Sequence, residues 1–199
     1  MNRFIVVALF PAALVAASFA LCQAEEVAPG KEKAKEQKTV EIGKQAPAFK
    51  IKDAGGKEVD LAQLTAKGPV LVRLTCGCSG CDKELAYFQE INKAYKSHGL
   101  TSLLVFREPD EKVAKYAADK KLDMLYAVDS NGEAWKVFET KSMPVNFLIE
   151  KGGKIISIAQ GCEPSGLIAN LVSEKAAKVV GVAAVDVQVK ADGKQPEKK

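Results

Sequence analysis

Three cysteines within six residues are the part of this sequence best suited to covalent chemistry. Cys76, Cys78 and Cys81 lie in the segment Cys-Gly-Cys-Ser-Gly-Cys. Thiolates attack disulfide bonds, and they also bind soft metal ions. Cys78 and Cys81 have the C-x-x-C spacing, at which two sulfur atoms can close a small disulfide ring. The segment therefore predicts redox chemistry, and the alternatives are a structural pair of cysteines or half of a zinc site.

The segments on either side of the cysteines predict how they are positioned. Residues 69–74 before the motif are apolar and rich in β-branched side chains, which predicts a buried strand. Residues 82–91 after it carry apolar side chains at helical spacing. This order places Cys78 at the N-terminus of a helix, where unpaired backbone N–H groups and the positive end of the helix dipole stabilise a thiolate. Cys81 then lies one turn further into the helix.

Composition excludes several other classes of function. The chain has 199 residues, of which 47% are hydrophobic and 27% charged, and this suits one globular domain with tails. The net charge is only +4 and the charges are interspersed, so nothing indicates binding to nucleic acid. His98 is the one histidine, next to a glycine at the expected end of the cysteine helix. A Cys–His or Ser–His–Asp catalytic arrangement would have to use that single residue.

The first 24 residues have the layout of a secretory signal peptide. A charged start is followed by an apolar run and by Cys22-Gln23-Ala24, which favours cleavage before Glu25; Ser18-Phe19-Ala20 is a second candidate site. Cleavage before Glu25 leaves four of the five cysteines, an even number that suits an oxidising compartment. We therefore expect an exported protein, periplasmic or secreted, without stable membrane insertion. An uncleaved segment would instead make it membrane-anchored.

The remaining chain divides by composition into a linker, a domain and a tail. Residues 25–39 are polar and charged, which predicts a disordered linker. Residues 40–180 alternate apolar strand and helix patterns and predict one domain. In it, Leu167, Ile168, Leu171 and Val172 form the expected inner face of the last helix. Residues 181–199 are expected to be a C-terminal tail, whose first part is an extra edge strand or disordered.

The order of the patterns predicts an α/β fold. A glycine-rich turn at Gly55-Gly56 joins two short strands into an N-terminal hairpin. Strand, helix, strand, helix and strand then follow from residue 69 to residue 128, which implies right-handed βαβ units and a mainly parallel core. Two apolar runs at 145–149 and 155–160, joined by Lys151-Gly152-Gly153-Lys154, predict an antiparallel hairpin after it.

Several of these motifs together resemble one protein family. They are Gly43-x-x-Ala46-Pro47-x-Phe49, Gly55-Gly56-Lys57-x-Val59-x-Leu61, Cys78-x-x-Cys81-x-x-Glu84, and Met143-Pro144 before the last hairpin. From about Val40 to Val179 the chain resembles the exported thiol–disulfide oxidoreductases of the TlpA/ResA-like type, within the redoxin (AhpC/TSA) superfamily. The resemblance implies a thioredoxin-like three-layer α/β/α sandwich with a mixed central sheet and an N-terminal β-hairpin extension.

The resemblance also implies a site and a mechanism. Cys78 is expected to be the exposed nucleophile that attacks a partner disulfide, and Cys81 the more buried thiol that resolves the mixed disulfide. Pro144 is expected to follow a cis peptide bond, face the cysteines and leave backbone groups free for a substrate strand. The implied catalytic residues are Cys78, Cys81 and Pro144, with no cofactor and no metal. The implied partners are protein thiols or disulfides and an unidentified thiol reductant.

The chain departs from the family pattern at four positions. Gly77 stands where an aromatic residue is usual, Met143 replaces a threonine, and Ala86 replaces a helix-kinking proline. Cys76 is an additional thiol. Substrate preference and redox poise therefore do not transfer from relatives.

Two other functions compete with disulfide exchange. A peroxiredoxin-like thiol peroxidase would use the pattern P-x-x-x-T-x-x-C, of which Thr75 and Cys78 match while Leu71 replaces the proline. Arg73 or Arg107 would then supply a guanidinium for the thiolate and the peroxide.

A cysteine-cluster metal-binding protein is the third alternative. The last strand of the predicted hairpin returns toward Pro144, which places Cys162 near the other three thiols. The four sulfur atoms would then be able to bind zinc or copper(I).

Overall fold

The structure is a computed structural model that describes residues 40–191. The expected signal peptide, the linker and residues 192–199 of the tail lie outside this range. The strands are β1 (Lys50–Lys52), β2 (Glu58–Asp60), β3 (Val70–Thr75), β4 (Thr101–Phe106), β5 (Leu125–Val128), β6 (Val145–Ile149) and β7 (Ile155–Gln160). The helices are α1 (Leu61–Lys67), α2 (Ser79–Tyr95), α3 (Asp110–Asp119), α4 (Glu133–Val137), α5 (Leu167–Val180) and α6 (Val187–Ala191), with a 3₁₀ turn at Lys96–His98.

Five strands form a mixed central sheet in the order β5-β4-β3-β6-β7. Strands β3, β4 and β5 run parallel, as the βαβ pattern predicts. Strand β6 pairs antiparallel with β3, and β7 pairs antiparallel with β6. The strand that leads to the cysteines, β3, is therefore central in the sheet, and all six of its residues are buried.

Helices cover both faces of this sheet. The side chains of each strand alternate between the two faces, so a strand that is buried throughout, such as β3, needs packing partners on both. Val70, Val72 and Leu74 of β3 point to the face that packs against α4, α1 and the N-terminal hairpin. Leu71 points to the opposite face and packs against α2 and α5. Leu85 of α2 also joins α3 on that face. The three-layer α/β/α sandwich expected from the sequence is confirmed.

The predicted N-terminal hairpin is confirmed as β1 and β2, which pair antiparallel with Ile51 opposite Val59. Asp60 at its end caps α1, because its carboxylate accepts a hydrogen bond of 2.9 Å from the backbone N–H of Ala62. An isolated bridge between Asp53 and Ala127 joins the hairpin segment to β5 at the edge of the central sheet.

The expected inner face of α5 is partly wrong. Val172 is buried, but Leu167 and Leu171 are 53% and 50% exposed. The helix instead buries small side chains, among them Ala169 and Ala176, in a hydrophobic cluster that it shares with α2. Small residues let the helix axis approach closely, so the longer leucines are left at its outer side.

The first part of the tail is not an edge strand. Residues 187–191 form the short helix α6, and Val187 is fully buried against α2 and α5. The backbone N–H of Val185 donates to the hydroxyl of Tyr95 at 2.9 Å, which ties this segment to α2. Within residues 40–191, no helix is long and apolar enough to cross a membrane.

A buried ion pair joins the sheet to α2. Arg73 of β3 donates to Glu84 of α2 at 2.8 Å, and their side chains are 2% and 0% exposed. The same guanidinium donates to the side chain of Asn146 in β6 at 2.9 Å. The second carboxylate oxygen of Glu84 accepts from the backbone N–H of Glu163 at 2.8 Å. This one charge pair therefore connects four segments around the cysteines, namely β3, α2, β6 and the segment after β7.

We expect Glu84→Gln to lower the free energy of unfolding by about 3–5 kcal/mol, because it leaves the Arg73 guanidinium buried without a counter-charge. Urea denaturation followed by circular dichroism measures this loss. The matched control is Glu133→Gln, which removes an exposed ion pair with Lys136 and should change stability by at most about 1 kcal/mol. Equal losses in the two variants would contradict the structural role of the buried pair.

Candidate functional site

Cys78 lies where the sequence predicts, directly before the first turn of α2. It is the N-cap residue of the helix, with φ −72° and ψ 160°, and it is exposed. Its carbonyl accepts a hydrogen bond of 2.9 Å from the backbone N–H of Asp82. Cys81 in the first turn is 3% exposed. The motif therefore presents one accessible thiol and one buried thiol, as the nucleophile and the resolving thiol of an exchange reaction require.

Cys76 contacts both sulfur atoms of the C-x-x-C pair. Its Sγ donates a hydrogen bond to Sγ of Cys78 at 2.9 Å and lies 3.3 Å from Sγ of Cys81. This hydrogen bond, followed by the backbone N–H of Cys81, lowers the pKa of Cys78. Burial, and then donation to Cys78, raise the pKa of Cys76. The pair therefore favours a thiolate on Cys78 and a protonated thiol on Cys76.

Glu108 holds the loop between β3 and α2. Its Oε1 accepts a hydrogen bond of 2.7 Å from the backbone N–H of Gly77. Its Oε2 is buried and makes no hydrogen bond with any residue between 40 and 191. A groove of about 260 Å³ opens at this point, lined by Cys78, Glu108 and Tyr116 among others. The exposed Cys78 and the carboxylate of Glu108 therefore line one groove.

The bond between Met143 and Pro144 is cis, as expected. The register of β3 with β6 pairs Leu74 with Val145, so its continuation sets Pro144 opposite Thr75, one residue before Cys76. The carbonyl of Pro144 accepts from the backbone N–H of Gly161 in the segment after β7. Pro144 is buried and Met143 is half-buried. The proline therefore lies at the same end of the sheet as the cysteines.

Cys162 lies beside the motif but outside the thiol cluster. Its Sγ is 3.0 Å from the position that a Cβ at Gly80 would occupy, so the glycine permits this approach. Burial, and then the negative charge of Glu84, raise the pKa of Cys162. Cys162 is exposed. The expectation that it lies at the same pole is confirmed.

Among residues 40–191, Cys76, Cys78 and Cys81 are the group that could hold a metal ion, and their sulfur atoms all lie within 4.8 Å of one another. Three thiolates suit zinc or copper(I). Sulfur atoms that share one zinc ion at about 2.3 Å are roughly 3.8 Å apart. The contacts of 2.9 and 3.3 Å are shorter than this spacing, so the three sulfur atoms are also close enough for direct exchange with one another.

Sequence reasoning missed Glu108 and assigned Arg73 to a different chemistry. Glu108 follows β4, which runs parallel to β3. The carboxyl ends of parallel neighbours meet at one edge of a sheet, so this position was a signal that Glu108 lies beside the cysteines. Arg73 is not free to bind peroxide, because it is paired with Glu84. Arg107 instead lies 5.6 Å above the ring of Trp135.

Comparison with known proteins agrees with this geometry. The AhpC/TSA family model matches residues 42–158. The thiol-disulfide oxidoreductase ResA of Bacillus thuringiensis subsp. konkukian is 35% identical over 128 residues, which cover 64% of this chain and 73% of that protein. ResA of Bacillus subtilis is 26% identical over 66% of this chain and 74% of its own length.

Solved structures show the same fold. A putative thiol:disulfide interchange protein DsbE from Chlorobium tepidum has a TM-score of 0.65 at 22% identity, covering 71% of this chain and 99% of that one. Peroxidoxin BcpB from Mycobacterium tuberculosis has a TM-score of 0.59 at 22% identity, covering 71% and 97%. The chain therefore belongs to the AhpC/TSA family and is, within it, a thiol–disulfide oxidoreductase of the ResA-like type with a thioredoxin-like fold.

Proposed function

We propose that the protein exchanges disulfides with protein partners through Cys78 and Cys81, outside the cytoplasm. One observation carries the proposal: Cys78 is exposed at the N-terminus of a helix and accepts hydrogen bonds that lower the pKa of its thiol, while Cys81 is buried one turn away. A thiolate that is both accessible and stabilised is the species that attacks a disulfide.

The reaction proceeds in two exchange steps. The Cys78 thiolate attacks one sulfur of a substrate disulfide, a bond forms between these two sulfur atoms, and the other substrate sulfur leaves as a thiolate. Cys81 then attacks the Cys78 sulfur, and the second substrate thiol leaves. Two electrons pass from the protein dithiol to the substrate, and the motif ends as a Cys78–Cys81 disulfide. A thiol reductant of unidentified chemistry returns it to the dithiol; the reverse sequence oxidises a partner.

Pro144 and the groove beside Cys78 are the proposed substrate contacts. The continued register of β6 with β3 supports a place for Met143-Pro144 next to the cysteine loop, where an extended substrate segment would pass. The groove lined by Cys78, Glu108 and Tyr116 has room for one side chain of that segment. Oε2 of Glu108, which has no hydrogen-bond partner in the described part of the chain, favours a substrate group that donates a hydrogen bond there.

The signal-peptide pattern of residues 1–24 and the even number of cysteines after it support export. We propose a periplasmic or secreted protein in which residues 25–39 are a linker, 40–180 the redox domain and 181–199 the C-terminal tail.

A peroxidase function is not favoured. The groups that lower the pKa of Cys78 are neighbouring thiols and backbone N–H groups, not a guanidinium. Arg73, the nearer candidate in the sequence, is buried in its pair with Glu84 and stacks on Phe88 at 4.0 Å. Neither observation provides the cationic partner that peroxide reduction would use.

We expect Cys78→Ser to reduce catalysed exchange to the uncatalysed rate, because the hydroxyl does not replace the thiolate as a nucleophile. The measurement is the reduction of a disulfide-bonded probe peptide in the presence of dithiothreitol, followed by chromatography. Cys162→Ser is the matched control and should keep the wild-type rate. Exchange that survives in Cys78→Ser, or that is lost only in Cys162→Ser, would show that Cys78 is not the nucleophile.

We also expect the pH dependence of Cys78 alkylation to report its hydrogen bond from Cys76. Because the pKa of Cys78 is lowered, its reaction with iodoacetamide should level off at a lower pH than that of an ordinary thiol, and slow as the pH falls through that pKa. Cys76→Ala removes the donor and should move the midpoint to higher pH.

Peptide mass spectrometry across a pH series measures the midpoint for each cysteine. Cys162→Ser is again the control and should leave the midpoint unchanged. An unchanged midpoint in Cys76→Ala would show that the helix backbone alone stabilises the thiolate.

A further inference from the structure

Cys76 adds a third thiol to the C-x-x-C pair. Its sulfur lies 2.9 Å from that of Cys78 and 3.3 Å from that of Cys81, so it touches both members of the motif. A disulfide bond has a sulfur–sulfur length of about 2.05 Å, so Cys76 and Cys78 need to approach by about 0.9 Å to bond. Such a movement is within the reach of side-chain rotation.

The backbone between these two residues has space for that movement around the one hydrogen bond from the Gly77 N–H to Glu108 described above. Cys76 and Gly77 lie in neither β3 nor α2. The nearest atoms to a Cβ placed at Gly77 would be 3.9 Å away, on Glu108 and Tyr116, so the loop is not tightly packed there. Glycine also has the widest choice of backbone conformation. A ring closed through one intervening glycine is therefore accessible to this loop.

We propose that Cys76 is a second resolving thiol, which attacks the mixed disulfide on Cys78. The inference rests on the proposed exchange function. The sulfur of Cys76 bonds to the sulfur of Cys78, and the bond from Cys78 to the substrate sulfur breaks. The substrate sulfur leaves with the electron pair and takes up the proton that Cys76 gives away. The products are a Cys76–Cys78 disulfide and a free substrate thiol, with two electrons transferred to the substrate in total.

The mixed disulfide also makes Cys76 easier to deprotonate. In the free site, burial and donation to the Cys78 thiolate both hold the proton on Cys76. When Cys78 is bonded to substrate it no longer carries a negative charge, so the second of these causes disappears. The Cys76 thiol thus stabilises the Cys78 thiolate before the first exchange step. Once the mixed disulfide has formed, Cys76 is available as an attacking group.

The disulfide formed by the Cys76 route can be converted into another by Cys81. Cys81 lies 3.3 Å from Cys76 and can attack the Cys76–Cys78 disulfide at the Cys76 sulfur. This exchange forms Cys76–Cys81 and releases the Cys78 thiolate, without any change in the number of electrons held by the site. An oxidised site would therefore still present its nucleophile to a further disulfide.

The test uses the full chain with Cys22→Ser and Cys162→Ser, so that the three loop thiols are the only ones of its five cysteines that remain. Cys81→Ser is then compared with the variant that carries both Cys76→Ser and Cys81→Ser. Each reduced protein is mixed with one equivalent of a disulfide-bonded probe peptide, quenched with acid at intervals and analysed by intact mass and peptide mapping. Circular dichroism melting checks that every variant is folded.

We expect the mixed disulfide of Cys81→Ser to disappear at least about tenfold faster than that of the double variant, with a Cys76–Cys78 disulfide in its place. Mixed disulfides that persist equally in both variants would overturn the role of Cys76 and leave the exchange function intact. Loss of exchange in the parent with all three thiols would overturn the proposed function itself. A mixed disulfide that persists in the double variant but not in Cys81→Ser supports both the exchange function and the role of Cys76.

Discussion

The buried pair of Arg73 and Glu84 is the interaction on which the geometry of the site depends. Removing two charges from water is unfavourable unless their remaining hydrogen-bonding groups are also satisfied. Here Asn146 accepts from the guanidinium, and the backbone N–H of Glu163 donates to the carboxylate. These partners belong to β6, just after the cis proline, and to the residue after Cys162. The same charges that need partners therefore set the distances between the cysteine helix, the proline and the last strand.

This arrangement explains why Glu84 is a positioning residue. Both of its carboxylate oxygens are engaged, one by Arg73 and one by the backbone of Glu163. A carboxylate in two strong hydrogen bonds is held in place. Control of the Cys78 charge is instead local, since it comes from the Cys76 thiol and from the N–H groups of the first helical turn. Fold stability and thiolate chemistry are thus provided by neighbouring but separate groups.

The sequence was informative where a property repeats along the chain and weak where it depends on contacts between distant segments. The sheet, the hairpin and the helix after Cys78 follow from periodicity and turn residues, which are local. The buried pair was not predicted, because an arginine in an apolar strand finds its partner only once the helix has docked. The inner face of α5 was misread for a similar reason: Leu167 fits the apolar spacing, but closer packing through Ala169 turns that side outward.

The two glycines of the motif leave room for other groups around the cysteine loop. Gly80 has no side chain, and the space is taken by the sulfur of Cys162. A side chain at Gly77 would point toward Glu108 and Tyr116, which line the groove. A bulky residue at this position would fill the approach to Cys78 and stiffen the loop. Its absence leaves the groove open beside Cys78, and the sulfur of Cys76 lies 2.9 Å from that of Cys78. Access to Cys78 from the groove therefore depends on the missing side chain at Gly77.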